Sequence, residues 1–309
     1  MTSIGNTFFF DWEVRLMAAV QNALGETGIS VISFLSIFGE EIFLIIMMGM
    51  LYWSYDKEAG KRIGLNLMVA GAWNGLIKNV FMRRRPYLDH EEIKIFRLLD
   101  KNADPTDIMS QGFSFPSGHS TNVFTFFLSL AQWLRKRWTI VLMVVMPILV
   151  GISRVVVGAH YPTDVLGGWL NGALAVLVVN RLSKAVHSGP LFFGILILMC
   201  VPGFFYCKTS DYFSAFGLLV GFAAGNLFEE RFVRFENTRS LIPSILRVVG
   251  GLFVCAVVYI LLELPFSKEF LYSGTLAAMT VRMLRHAVLA FFAFGLYPMI
   301  FRFEKKFFK

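Results

Sequence analysis

Nine apolar runs, each close to the length of a bilayer crossing, limit what this chain can fold into. They fall at about 31–53, 63–82, 117–134, 138–157, 163–181, 189–207, 212–229, 242–264 and 280–301. A helix needs about 20 mostly apolar residues to cross the hydrocarbon core. The chain is therefore expected to be all-α, a polytopic transmembrane helix bundle of about nine spans. Composition agrees. The 309 residues are 56% hydrophobic and only 16% charged, where a soluble domain carries roughly a quarter charged residues. No long polar linker separates the runs, so one helical domain is expected.

The segments outside the runs carry their own signals. Residues 1–28 lack the basic start of a cleavable signal, and their early charges are Asp11 and Glu13. Phe9, Trp12, Leu16, Val20 and Leu24 recur at helical spacing, which predicts an amphipathic helix in the membrane interface or one packed on the bundle. The longest loop, 83–115, contains LDHEEIKIFRLLDKNADPTD, read as holding a short amphipathic helix. Gly168 with Gly172, and Gly221 with Gly225, have the spacing of close helix contacts. Cys200, Cys207 and Cys255 lie in apolar segments with no redox or metal spacing, and are read as small apolar side chains.

The formal net charge is +8. Most of the basic residues sit in short loops between apolar runs, which marks them as topology signals and not as a nucleic-acid surface. Counting crossings places Lys57, Lys61 and Arg62 on one side with Arg135, Lys136 and Arg137. Arg181 and Lys184 join them, as do Arg231, Arg234 and Arg239, and the C-terminal Arg302, Lys305, Lys306 and Lys309. That side is expected to be cytoplasmic. The N-terminus and loop 83–115 then lie outside, and the basic cluster on that side needs another reason. Glu40 and Glu41, in the first run or at its edge, mark either an intramembrane function or a bend.

Three segments carry polar groups that a membrane disfavours. KNVFMRRRPY ends the second run, with Lys78, Arg83, Arg84, Arg85 and Pro86. FPSGHS opens the third, with Ser117, Gly118 and His119. SRVVVGAHYPTD joins the fourth to the fifth, with Ser153, Arg154, His160 and Asp164. Crossing parity brings all three to the same face. There Lys78, Arg85 and Arg154 form a fixed positive cluster, and the planar fork of Arg suits phosphate oxygens. A Pro-Ser-Gly-His helix start offers free backbone N–H groups and the positive end of the helix dipole, and Gly118 lets the backbone approach a ligand closely. Asp164 follows His160 by four residues, and Pro162 can open the next helix. That spacing turns the carboxylate toward one imidazole nitrogen, which fixes the tautomer and raises nucleophilicity. His119 has no carboxylate near it in sequence and is placed to protonate a leaving oxygen. A nucleophile, an acid and an anion clamp describe phosphoryl transfer. No paired-carboxylate or His-rich metal signature accompanies them, so chemistry without metal or cofactor is expected.

These segments resemble the three motifs of the type 2 phosphatidic acid phosphatase (PAP2) superfamily. Lys78, six residues, then Arg85–Pro86 matches the first. Pro116–Ser117–Gly118–His119 matches the second, and Ser153–Arg154, five residues, His160, three residues, Asp164 matches the third, with no departure at a motif position. The resemblance implies a six-helix core over roughly 31–207. It divides the chain into the interfacial segment 1–28, a catalytic core 29–207 and additional transmembrane helices 208–309. It implies that His160 is phosphorylated, that Asp164 orients it, and that His119 is the acid for the leaving alcohol and then the base for water. Lys78, Arg85, Ser117, Gly118 and Arg154 would hold the phosphate. The nine runs with an outside N-terminus resemble the glucose-6-phosphatase and sphingosine phosphate phosphatase layouts.

The function so implied is a metal-independent membrane phosphatase. It would cleave a lipid phosphate monoester or pyrophosphate at the extracytoplasmic face of a bacterial plasma membrane. The alternatives are a phosphatase of soluble esters such as sugar phosphates, a haloperoxidase on family grounds, and an anion transporter. The last is disfavoured because no internal repeat is visible and the polar groups gather at one face. The remaining polar residues have plainer readings. Arg83 and Arg84 contact headgroups or line a solvated loop. Ser153 caps a helix or touches phosphate, and Ser120 and Thr121 start a helix. His90, Glu91 and Glu92 shape an entrance, while Tyr161 and Pro162 position their neighbours. His187 falls on the far side. His286, with Arg282 and Arg285, forms a buried pair or an interface anchor.

Overall fold

A computed structural model describes residues 5–98 and 104–301 of the chain. Apart from one bridge between Asn6 and Arg83, all regular structure among the described residues is helical. In chain order the α-helices are α1 (Asp11–Ser33), α2 (Glu41–Met50), α3 (Lys57–Phe81), α4 (Pro86–Asp89), α5 (Ile108–Gln111) and α6 (Gly118–Leu134). They continue as α7 (Arg137–Val156), α8 (Pro162–Ala185), α9 (Gly189–Leu198), α10 (Ser210–Phe228), α11 (Leu241–Glu263), α12 (Lys268–Leu271) and α13 (Leu276–Phe291). Each of the nine apolar runs falls on helix, but not each meets the length and hydropathy of a span by itself. Among the described residues, five helices are long and apolar enough to cross a bilayer, and six if α1 and α2, with the turns that extend them and a 42° bend between, count as one. α3 has the length, yet it carries Lys57, Glu58, Lys61 and Arg62 at one end and Lys78 at the other. α6 has 17 residues, and α9 gives way to a 3₁₀ turn, Val201–Phe205.

The helices that carry the polar segments pack at the centre. α3, α6 and α8 are tied by buried hydrogen bonds: Asn74 Nδ2 donates to Thr121 Oγ1 at 3.0 Å, Asn66 Nδ2 to Ser129 Oγ at 2.8 Å, and Asn171 Nδ2 to the Ala70 carbonyl at 2.9 Å. Small residues allow the approach, as their spacing predicts. A Cβ on Gly168 would lie 2.7 Å from the Ser117 carbonyl, and one on Gly172 would lie 2.6 Å from Thr125 Oγ1. The same device joins α10 to α13, where a Cβ on Gly221 would lie 2.0 Å from the Ala287 carbonyl. At the end remote from the three polar segments, Lys57 pairs with Glu229 at 3.0 Å, Lys61 with Glu230 at 3.0 Å, and Arg62 binds Asn180.

Two expectations about the outer segments change. α1 does lie on the bundle; of the predicted apolar stripe, Phe9, Trp12 and Leu16 are exposed, while Val20 and Leu24 pack against Ile29, Val156 and Val157. The face turned inward is mixed, with Glu13, Val14, Met17, Gln21 and Ile29 buried. The helix also runs past residue 28 to Ser33, broken by a kink at Gly25, where φ is +61°. In loop 83–115 the expected amphipathic helix does not form over the described part of its stretch beyond α4; residues 99–103 lie outside the described residues. Tertiary partners take the backbone groups that a helix would have paired. Gln21 brackets Lys94, giving Nε2 to its carbonyl at 2.8 Å and taking its N–H at 3.0 Å. Phe96 N–H donates to Val157 O at 3.1 Å, while Ile93 and Phe96 pack against α1 and the end of α7. Glu40 marks the bend. It is extended between the helices and forms an ion pair with Arg97 of the loop. Glu41 lies exposed in the first turn of α2. The basic C-terminal residues from Arg302 onward lie outside the described residues.

The glycine crossings yield a direct check. Gly221→Ala is expected to lower the unfolding free energy in detergent by about 1–3 kcal/mol, the usual penalty for overpacking. Gly194→Ala on α9, where a Cβ would meet nothing within 4 Å, should be neutral or stabilising. Thermal melts of the two variants measure both effects.

Candidate active site

Four chain segments converge at one end of the bundle. α3 ends in a left-handed residue, Met82, with Lys78 in its last turn. The chain then runs extended through Arg85 into Pro86, which opens α4 as a proline can at a first helical position. A strap, Gly112–Ser117, leads into α6; Pro116, joined to Phe115 by a cis peptide bond, precedes the cap and is not in the first turn. Ser117 is the N-cap, and its Oγ accepts from Ser120 N–H at 3.4 Å. α7 ends with Arg154 in its last turn, and Pro162 opens α8. Two backbone bonds lock these ends together: Ser117 N–H donates to Asp164 O at 2.9 Å, and Ser114 N–H to Arg83 O at 2.7 Å.

His160 sits in the turn between α7 and α8, buried. Its Nδ1 lies 2.9 Å from the Ser114 carbonyl. A carbonyl only accepts, so Nδ1 carries the proton and Nε2 keeps a free lone pair. The direct carboxylate bond that the spacing suggests is not made: Asp164 Oδ2 stands 3.6 Å from Nδ1. Its lone pairs go elsewhere, to Tyr161 N–H at 2.8 Å and the Ser114 hydroxyl at 2.5 Å, while Oδ1 accepts from Arg83 Nη1 at 2.8 Å. Asp164 therefore faces the ring as a nearby charge and holds the strap whose carbonyl orients it. Burial, then the charges of Arg85, Arg154 and Lys78, push the His160 pKa well below its ordinary value, against an upward pull from the Ser114 bond. The ring is thus neutral at neutral pH.

The expected cations are all buried around this ring. Arg85 gives three N–H groups to the carbonyls of Gly112, Ala159 and Gln111, at 3.0, 3.1 and 2.6 Å. Gly112 adopts φ +69°, and a Cβ there would lie 3.7 Å from Lys78 Nζ and 4.0 Å from Arg85 Nη2. Both cations therefore border the hollow that its missing side chain leaves. Lys78 Nζ lies 3.5 Å from Asp211 Oδ2 on α10. Arg154 reaches Ser36 Oγ at 3.3 Å through Nη1, while its buried Nε has no hydrogen-bond partner. His119 is the second residue of α6, within electrostatic reach of Arg154, His160, Arg85 and Arg97. Gly118 borders open space, since a Cβ there would meet only Asn74 Oδ1 at 3.9 Å. All eight expected residues, Lys78, Arg85, Ser117, Gly118, His119, Arg154, His160 and Asp164, thus come to one end of the bundle.

Other expectations shift. Arg83 neither lines a solvated loop nor meets headgroups, because it is fully buried between Asp164 and Glu13. Arg84 pairs with Asp89 at 3.0 Å. Ser153 is hydrogen-bonded to Ser36 at 2.6 Å. His90 Nε2 lies 3.1 Å from the Tyr161 hydroxyl, while Glu91 and Glu92 are exposed. His286 accepts no role here: its Nδ1 contacts Arg282 O at 2.7 Å, beside the Arg285–Glu263 pair at 2.9 Å. The residues that sequence reading missed are Ser114, Glu13, Arg97 and Asp211. Only Ser114 lay near a motif, three residues ahead of Ser117, and a lone serine gives no spacing to read.

Comparison with known proteins finds two matching family profiles and several similar proteins. Residues 59–188 match the PAP2 superfamily profile, and residues 213–306 match a second profile described as the PAP2 superfamily phosphatase, transmembrane extension. An undecaprenyl-diphosphatase of Sulfolobus acidocaldarius is 30% identical over 164 residues, 51% of this chain and 70% of that protein. A decaprenylphosphoryl-5-phosphoribose phosphatase of Mycobacterium tuberculosis is 32% identical over 174 residues, 54% of this chain and 89% of that protein. A lipid A 1-phosphatase of Rhizobium johnstonii is 36% identical over 120 residues, 38% of this chain and 46% of that protein. No solved structure gives a significant match.

The His160 environment predicts its spectrum. With imidazole ¹⁵N labelling, the His160 ring is expected to stay neutral at pH 6, with the Nδ1–H tautomer. A free histidine, with a pKa of about 6.5, is mostly protonated there. Protonated-ring shifts at pH 6 would contradict the buried cationic surroundings.

Proposed function

The chain belongs to the PAP2 superfamily and is a membrane-embedded phosphoric ester hydrolase of that type, and on this premise we propose that it releases phosphate from a lipid phosphate through a phosphohistidine on His160. In this reading the substrate is a lipid monoester or pyrophosphate. The relatives support the class, since each is named for a phosphate carried on a lipid. The observation that carries the mechanism is the His160 tautomer. With Nδ1–H committed to Ser114 O at 2.9 Å, Nε2 is the nitrogen left to attack phosphorus.

The steps follow from the groups present. Nε2 forms a bond to phosphorus as the bond to the leaving oxygen breaks, and His119 delivers a proton to that oxygen. Lys78, Arg85 and Arg154, with the Ser117–Gly118 end of α6, stabilise charge on the equatorial oxygens. Water then attacks the phosphohistidine, giving its proton to His119. The N–P bond breaks, inorganic phosphate leaves, and both histidines return to their starting states. The cationic cluster supplies the positive charge that a metal ion supplies elsewhere, so the reaction is proposed to need neither metal nor cofactor. The catalytic unit is taken as residues 29–207, with 208–309 as added helices that reach the site through Asp211 beside Lys78.

Sidedness is part of the proposal. The basic loops gather at the end where Lys57, Lys61 and Arg62 are tied to α10, the turn after it and α8. The positive-inside rule makes that end cytoplasmic, so the site and loop 83–115 face outward in a bacterial plasma membrane.

Purified protein in detergent is expected to release phosphate from one or more of phosphatidate, undecaprenyl pyrophosphate and sphingosine phosphate, with glucose 6-phosphate a poor substrate. EDTA should leave the rate unchanged. His160→Ala should lose turnover and the acid-labile ³²P label; an active His160→Ala sinks the mechanism, and preference for glucose 6-phosphate sinks the lipid assignment. For sidedness, a cysteine at exposed Thr106 should react with a membrane-impermeant maleimide in intact cells. Labelling only after lysis would reverse the topology.

A further inference from the structure

A second charge cluster lies behind His160, and no motif describes it. Arg83 spends its whole guanidinium there. Nη1 donates to Asp164 Oδ1 at 2.8 Å and Thr163 Oγ1 at 2.7 Å, Nη2 to Glu13 Oε2 at 2.8 Å, and Nε to the Phe8 carbonyl at 2.8 Å. The guanidinium carbon lies 3.9 Å from the Tyr161 ring centroid and 4.8 Å from that of Phe8. Glu13 is equally committed: Oε1 accepts from Thr163 N–H at 2.9 Å and its hydroxyl at 2.7 Å, and Oε2 accepts from Phe10 N–H at 3.1 Å. Glu13 and Asp164 are 0% exposed and Arg83 is 1%. Such burial is tolerable only because every charge is paired and hydrogen-bonded.

The count of charges has a chemical consequence. Asp164 accepts three hydrogen bonds and Glu13 four, which favours the ionised form of each; two such carboxylates facing one guanidinium give the cluster one net negative charge. An Arg83–Asp164 pair alone would be neutral overall and would present His160 with only a dipole. Glu13 takes up the second arm of Arg83 and leaves Asp164 with charge to spare. When Nε2 bonds to phosphorus the imidazole ring becomes cationic, with Nδ1 3.6 Å from Asp164 Oδ2. That is the moment at which net negative charge behind the ring lowers the barrier.

We propose that Glu13 and Arg83 are positioning residues of the reaction. Arg83 holds Asp164 in place, and Glu13, by balancing Arg83, leaves the Asp164 charge available to the phosphorylated His160. Helix α1 is thereby part of the catalytic apparatus, although it lies outside the segment that carries the motifs. The inference rests on the phosphohistidine reading.

The test uses the full chain in detergent, with phosphatidate, undecaprenyl pyrophosphate or sphingosine phosphate, whichever it hydrolyses fastest, and rapid-quench measurement of phosphohistidine. Glu13→Gln is expected to slow phosphohistidine formation and kcat by roughly 10–100-fold, the range seen when the hydrogen-bond partner behind a metal-ligating side chain is removed. KM should stay within about twofold, because the interaction strengthens only in the transition state. Removing negative charge near His160 makes its protonation harder, so the acid limb of kcat/KM should move to lower pH. His160 is also faced by Lys78, Arg85, Arg154 and His119, which the variant leaves in place. Glu13→Asp keeps the charge and should recover part of the rate. In an Asp164→Asn background, Glu13→Gln should cost nothing further, because it acts through Asp164. Should Glu13→Gln not be recovered folded, Thr163→Ala removes one donor to Glu13 without stranding a charge and should lower kcat selectively. Wild-type kcat and pH profile in Glu13→Gln, or a full multiplicative loss in the double variant, would overturn the proposal. Activity in His160→Ala would instead overturn the reading beneath it.

Discussion

Asp164 is the side chain on which four separate stretches of chain depend. Its two oxygens accept from Tyr161 N–H, from Ser114 in the strap before α6, and from Arg83 after α3. Arg83 carries the link to Glu13 on α1. A buried carboxylate with fewer partners would cost several kcal/mol or take up a proton. The need to satisfy it therefore fixes where α3 ends, where α6 and α8 begin, and how α1 docks. The orientation of His160 is a by-product: the strap that satisfies Asp164 also presents the Ser114 carbonyl to Nδ1.

The bilayer explains why this site is built from helix ends. Within the hydrocarbon, backbone groups must be paired internally, so irregular chain is confined to the ends of spans or to places buried in protein. At those ends the first N–H groups of α6 are free of helical partners, and the last turns of α3 and α7 carry Lys78 and Arg154. Glycine at 112 makes room between the cations, and Gln21 and Val157 give partners to the backbone of Lys94 and Phe96. That part of the chain owes its course to tertiary hydrogen bonds and not to its own helical propensity.

That distinction separates what was legible from what was not. The pattern in LDHEEIKIFRLLDKNADPTD suits a helix, yet Ile93 and Phe96 are drawn onto α1 and α7 and the described part beyond α4 stays non-helical. The stripe of Phe9, Trp12, Leu16, Val20 and Leu24 is visible in the sequence, but not that its first three members are exposed and its last two packed inward, since lipid and core are equally apolar. Arg83 looked like one of three interchangeable arginines. Its partners, Glu13 and Asp164, stand 70 and 81 residues away in sequence, and no local pattern encodes such a pairing.

The helical membrane architecture, the order of the three polar segments and, through crossing parity, their meeting at one face can all be read along the chain. Each of these follows from local quantities: run length, loop charge, and residue type at fixed spacing. Only the tertiary structure decided that Ser114 orients His160, that Asp164 reaches the ring through space at 3.6 Å, and that Glu13 stands behind both through Arg83. These are pairings between buried polar groups brought together by packing, and they exist because no such group can remain unsatisfied in a low-dielectric interior.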